Sequence, residues 1–379
     1  MRVSVLLLGL CAVLGAGRAS AQSNDCNRSA PDAITKVPLP GQPFSAIPTA
    51  DGCTIFVSLT PANAAEKAQV AVLARRRGTV SLVRTIPAAD QIIGMALGPD
   101  GKVLAATDGQ GVILFDTTRL TRGAADIVLA RAADGKDSGA AYVAFSPNGR
   151  LLAVSDEQAR AVTIYDFAVF SEGQPLRAIG KVPVGYGPSG LTFSPDSKRL
   201  YVVVQVTAIP GTECQAESSK DQPHAAGQLV VIDADRAAAN PSSAVLAAVP
   251  AGCNPVRVAV SPDGIAAYVT MRGSNAVGAF DTTRLVTDGS RAATGLFKVG
   301  KSPVGVTATD KLVFATNSDR FSDGQSQSVS VIDPANPTHI RTIPANGFPR
   351  ELKLTPDMKT LLITNFTGQE LELVDLARL

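Results

Sequence analysis

Apolar residues along this chain fall in short runs of alternating apolar and polar positions, each closed by a turn signal. One phrase keeps returning: an alternating strand, then Ser-Pro-Asp-Gly or a close variant. It reads Ala50-Asp51-Gly52, Pro99-Asp100-Gly101, Pro147-Asn148-Gly149, Pro195-Asp196-Ser197, Pro262-Asp263-Gly264, Thr309-Asp310-Lys311 and Pro356-Asp357-Met358. Successive Asp or Asn landmarks lie 49, 48, 48, 67, 47 and 47 residues apart, so one interval of six is out of line. Self-similarity at this period marks a repeat architecture, in which length is a poor guide to domain number.

Each unit has the same grammar. A strand such as Val256–Val260 precedes the turn, where Pro sets φ and Asp or Asn with Gly completes the reversal. A second strand follows, as in Arg150–Val154 or Ala266–Thr270. A third ends in Asp, as in Ile113–Asp116, Val162–Asp166, Leu229–Asp233, Val277–Asp281, Val329–Asp333 and Leu371–Asp375. A more variable fourth strand closes the unit. Four antiparallel strands per repeat of this length predict an all-β, seven-bladed β-propeller. The last unit, Pro349–Leu379, has room for only three strands, while Ile34–Leu39 is an orphan strand ahead of the first unit. If the orphan becomes the fourth strand of the last blade, the ring closes and both sheet edges at the closure are paired.

Tyr268-Val269-Thr270-Met271, Val313-Phe314-Ala315-Thr316-Asn317 and Leu362-Ile363-Thr364-Asn365 resemble the YVTN repeat, and with the turns and Asp-ended strands the resemblance extends over nearly the whole chain. The resemblance implies a propeller of the broad group that includes lactonase-like proteins, and a fold of this kind carries many functions. The chain has no Trp, which argues against WD repeats.

The first residues read as an address. Arg2 is followed by an apolar run from Val3 to Gly17, and Ala19-Ser20-Ala21 suits cleavage before Gln22. Residues 1–21 are thus expected to be a signal peptide and 22–379 one propeller domain, periplasmic or extracellular. Cys11 is preceded by Leu10 where a lipid anchor wants a small residue, and the apolar run is short for a membrane span. Lys and Arg number 35 against 33 Asp and Glu, so the net charge of +2 predicts no hold on nucleic acid. A monomer with no cofactor is expected.

The long interval places an insertion at roughly Val206–Gly227, between the second and third strands of unit four. Asp196 to Asp233 is 37 residues, against 18 from Asp263 to Asp281. In such a blade the 2–3 loop and the link to the next blade share one face, and the 1–2 and 3–4 turns share the other. Cys214 and Cys253 fall on the first face of one blade; Cys26 and Cys53 fall on the second face beside the closure. Topology therefore favours Cys26–Cys53 and Cys214–Cys253 over the two alternative pairings, with structural roles for both.

The first strand of each unit should line the central channel. Equivalent positions are Ser45, Gly94, Tyr142, Gly190, Arg257, Gly305 and Glu351, with Arg350 beside the last; the glycines predict an open mouth. Arg257 and Arg350, with Tyr142, are candidate ligand-binding residues for a carboxylate or phosphate. Glu351 is the candidate acid or base. The plainer alternative is a solvated rim in which Arg257 and Glu351 neutralise each other. His224, in the insertion, and His339, in the fourth strand of unit six, are expected at the surface, and no His-based metal centre is predicted. Asp319 and Asp323 supply two carboxylates toward a possible calcium loop. Two functions are compatible with these residues: a binding platform for a protein, glycan or small ligand, or a lactonase-like hydrolase in which Glu351 activates water.

Overall fold

The computed structural model describes residues 26, 32–61, 63, 66–135, 138–206, 213–214 and 224–379. The proposed signal peptide and most of the unit-four insertion lie outside them.

Seven four-stranded antiparallel sheets follow one another in chain order. The innermost strands are Gln42–Pro48, Met95–Leu97, Ala140–Phe145, Tyr186–Phe193, Pro255–Val260, Pro303–Ala308 and Pro349–Leu354. Each lies against the next, and the seventh lies against the first, so the sheets form a closed ring. Closure is made by Ile34–Pro38, which pairs with Glu370–Asp375 as the fourth strand of blade 7.

Local chemistry makes the blades alike. In the turn after an innermost strand, the Ser261 hydroxyl donates to Asp263 Oδ1 at 2.5 Å and accepts from the Ala266 amide at 3.0 Å. Ser194 with Asp196 and Thr355 with Asp357 repeat the brace. The Asp ending a third strand caps a short helix in three blades, Asp375 accepting from the Ala377 amide at the start of a 3-10 turn. Asp116 accepts from the Arg119 amide and Asp233 from the Arg236 amide, each at the start of a short helix.

The core is divided into layers between blades. Among the described residues, seven apolar clusters each join two neighbouring blades, including the pair at the closure. Phe56, Phe115, Tyr165, Tyr201 and Phe314 are fully buried between the blades.

In five of the seven blades a hydroxyl on the second strand donates to the next sheet. Thr270 Oγ1 accepts from the Arg257 amide at 3.1 Å and donates to the Val304 carbonyl of blade 6 at 2.7 Å. Thr107 does the same between Gly94 and Ala141, as do Thr316 between Gly305 and Arg350 and Thr364 between Glu351 and Phe44. Ser58 and Ser155 occupy this place in blades 1 and 3. Blade 4 alone breaks the column, with buried Val203.

The disulfides are Cys26–Cys53 and Cys214–Cys253. The first fixes the chain ahead of the closing strand. The second fastens a two-residue hairpin within the insertion, Glu213–Cys214 with His224–Ala225, to the link after blade 4. His339 is exposed and lies just before the fourth strand of blade 6, Arg341–Pro344, rather than within it. No helix among the described residues is long and apolar enough to cross a membrane.

Candidate functional site at the channel

The hydroxyl column fixes which residues are equivalent around the ring. The amides of Ser45, Gly94, Tyr142, Arg257, Gly305 and Glu351 each donate to the second-strand hydroxyl of their own blade. These are the positions expected from the sequence. Their side chains alternate small and large: Gly94 precedes Tyr142, Gly190 precedes Arg257 and Gly305 precedes Glu351.

The alternation changes one expectation. The glycines make room for the neighbouring blade and do not leave the channel open. A Cβ on Gly190 would sit 2.7 Å from the Val256 carbonyl oxygen and 2.9 Å from Arg257 Cδ, and one on Gly94 would sit 3.1 Å from the Tyr142 ring. With that room, Tyr142, Arg257 and Glu351 reach across the channel and meet. Arg257 donates to Glu351 Oε1 through Nε at 2.7 Å and Nη2 at 2.5 Å. The Tyr142 hydroxyl donates to the same oxygen at 3.2 Å, and the guanidinium lies 3.6 Å over the Tyr142 ring.

The break in the hydroxyl column belongs to this site. In blades 1, 2, 5, 6 and 7 a hydroxyl serves the next blade's carbonyl, which after blade 4 would be that of Val256. Val203 has none to give, and Arg257 Nη1 serves Val256 instead, at 2.8 Å, reaching also Ser189 Oγ at 3.3 Å. The donors of Arg257 are thereby occupied. Burial, opposed by the Glu351 charge and aided by that of Arg350, lowers its pKa to about 10. The three bonds to Glu351 converge on one carboxylate oxygen, the arrangement of a counter-ion.

Above this cluster opens a funnel of about 960 Å³, lined from the 2–3 loops and inter-blade links, and below it an inner cavity of about 250 Å³. Tyr142 and Arg257 line both spaces. The funnel carries Arg257, Arg272, Arg320 and Arg350 against Asp90 and Glu157, with Glu351 just beneath. Burial pushes the Glu157 carboxyl above its usual range, against the pull of Arg272.

Arg350 stands apart. Its guanidinium lies 3.9 Å from the centre of the Phe44 ring, with Phe366 at 5.1 Å and Phe348 at 5.4 Å. Its Nε is buried without a hydrogen-bond partner. Burial lowers its pKa to about 10; Glu351 opposes the shift and Arg272 adds to it. Phe348 holds a left-handed φ of 60°, with its amide bonded to Gln327 Oε1 at 3.0 Å. Such a conformation in an aromatic residue costs of order 1–3 kcal/mol, and it directs the ring toward the arginine.

The structure thus brings Tyr142, Arg257, Arg350 and Glu351 together. It leaves His339 away from the channel, and the His224 side chain and residues 215–223 lie outside the described residues. Asp319 is buried, accepts from the Ser322 hydroxyl and the Ser326 amide, and has Lys301 at 3.8 Å. Among the described residues no group of three or more His, Cys, Asp or Glu could hold a metal ion. Sequence reasoning missed Phe44, Phe348 and Phe366, the loop arginines Arg272 and Arg320, and Lys353. Of these Lys353 and Phe44 left a usable signal: Lys353 lies two residues beyond Glu351 on the same strand and so on the same face, and Phe44 precedes Ser45 as Arg350 precedes Glu351.

These features define a closed seven-bladed β-propeller with a basic, aromatic-lined funnel. No protein-family model matches the chain, and no curated protein does. Solved structures do match in fold. Hydrazine synthase from Kuenenia stuttgartiensis is similar over 78% of this chain and 84% of its own, at 20% identity and TM-score 0.57. A functionally unknown protein from Desulfotomaculum acetoxidans covers the same shares at 15% identity and TM-score 0.56. A chain of a mitotic checkpoint complex is similar over 99% of both, at 14% identity and TM-score 0.66. Identities this low carry the fold alone.

Proposed function

We propose that this chain is an exported, YVTN-like propeller that serves as a binding platform. Its funnel takes a small ligand bearing a carboxylate or phosphate beside an aromatic body. Arg350 carries this reading: a guanidinium seated among three phenylalanine rings, facing the funnel, with a donor left unpartnered. Stacking holds the guanidinium plane and leaves its edge to donate in pairs to an anion. Arg257 and Tyr142 form the floor, with Glu351 as their counter-ion. The two disulfides are compatible with export.

The test is calorimetric titration of the full, disulfide-bonded chain with phenyl phosphate. Hydrogen bonds to charged groups contribute about 1.5–3 kcal/mol, so Arg350→Leu should weaken binding about tenfold to a hundredfold. Absence of saturable heat with folded wild-type protein, or equal affinity in Arg350→Leu, overturns the reading.

A further inference from the structure

Two residues beyond the Arg257 layer, toward the 1–2 turn face, the innermost strands set a second ring around the channel. Ile47, Ala96, Ala144 and Ala259 of that ring pack into the clusters between blades. Its other three members, Thr192, Thr307 and Lys353, border the inner cavity of about 250 Å³ and bring it two hydroxyls and an ammonium. Lys353 keeps accessible surface inside the channel. Its ammonium makes no hydrogen bond or ion pair with any described residue, and the Thr307 hydroxyl makes no hydrogen bond with one. The Thr192 hydroxyl reaches only the Phe193 carbonyl on its own strand, at a long 3.5 Å.

The charges around this cavity do not balance. Arg257, Glu351 and Lys353 border it. Arg257 and Glu351 neutralise each other through their two hydrogen bonds, so the positive charge of Lys353 is left over. An enclosed charge without a partner is costly, and an anion held beside it removes that cost. A second space, of about 360 Å³, runs from Lys353 and Thr192 to the 1–2 turn face and gives an anion its way in, with Lys353 as the charged residue on its wall.

We infer that the inner cavity binds a compact hydrophilic oxyanion, of the size of sulfate or phosphate, held by the Lys353 ammonium and the hydroxyls of Thr192 and Thr307. An ammonium serves such an anion as a point charge, and hydroxyl donors suit its remaining oxygens. The anion enters from the face opposite the funnel, so this site is separate from the one around Arg350. Enclosure by the innermost strands lowers the Lys353 pKa below the usual lysine range, against the opposing charge of Glu351. The anion binds the protonated ammonium. Affinity should therefore fall as pH rises through that lowered value, earlier than an ordinary lysine would dictate.

The experiment is calorimetric titration of the full, disulfide-bonded chain with sodium sulfate at constant ionic strength, from neutral pH upward, where the charge of sulfate does not change. Wild type should bind saturably. Lys353→Met should weaken binding about tenfold to a hundredfold, and Thr307→Val about fivefold. Arg350→Leu should leave sulfate binding unchanged, and Lys353→Met should leave phenyl phosphate binding unchanged, which separates this site from the funnel. Equal affinity for sulfate in wild type and Lys353→Met, loss of sulfate binding in Arg350→Leu, or no saturable binding by folded protein would each overturn the inference. Because Lys353→Met removes a desolvated charge and keeps the volume, the variant should fold, and a circular dichroism spectrum checks this.

Discussion

Replacing Thr270 with Val tests whether the hydroxyl column holds the blades together. The two side chains have nearly the same shape, so packing is kept and only hydrogen bonds are lost. Thr270 Oγ1 accepts from the buried Arg257 amide at 3.1 Å and donates to the Val304 carbonyl at 2.7 Å. Each buried group left without a partner costs about 1–3 kcal/mol. The added methyl returns about 1 kcal/mol of apolar burial. The net loss should be about 3 kcal/mol, within a range of about 1–5. Urea unfolding with the disulfides intact measures it as a lower midpoint at unchanged slope. Thr107→Val loses equivalent bonds to Gly94 and Ala141, and should fall by a similar amount. A loss below about 0.5 kcal/mol in both variants refutes the reasoning, because the amide and carbonyl would then have found other partners.

Arg257→Met should cost about 3–5 kcal/mol, since it leaves Glu351 without its cation in a site where the two side chains are only 9% and 17% exposed. It also frees the Val256 carbonyl, so Val203→Thr added to Arg257→Met should recover about 1 kcal/mol; a double-mutant cycle showing no coupling counts against an exchange of donors at Val256. Glu372 is held above the ordinary carboxylate range by burial, although Asn365 and Lys36 oppose the shift. It binds its proton more tightly in the folded chain than in the unfolded one. Its contribution is therefore fully present below about pH 4 and is lost as pH rises through the folded value. Urea midpoints from pH 4 to 7 should decline less steeply in Glu372→Gln than in wild type, and equal slopes would refute this.

The repeat, the closure and the disulfide pairing were legible because each rests on local chemistry or on counting. The Ser-Pro-Asp-Gly brace is closed within six residues, so it is written in the sequence wherever it occurs. Period two along a strand then carried the register from those turns to Tyr142, Arg257 and Glu351, the part of the site that shares a repeat position. Phe348, Phe366 and the loop arginines were not legible, because Phe348 and Arg320 sit in loops whose lengths differ from blade to blade. Such loops have no register to extrapolate.

The sequence by itself determined the number of blades, the strand order within each and the residues that face the channel. Turns and alternation are set by neighbours along the chain. Tertiary structure alone decided what those residues do to one another. Glycine at position 190 makes room for Arg257 only because blade 5 lies against blade 4. Val203 is an apolar residue like many others until the ring places it where a hydroxyl is missing, and Arg257 then supplies the donor. Lys353 and Arg350 are separated in sequence by two residues, yet Arg350 lines the funnel and Lys353 the inner cavity below it. A tilted, closed ring turns a short step along one strand into a change of face, and a partner 94 residues away, as Glu351 is from Arg257, into the nearest neighbour.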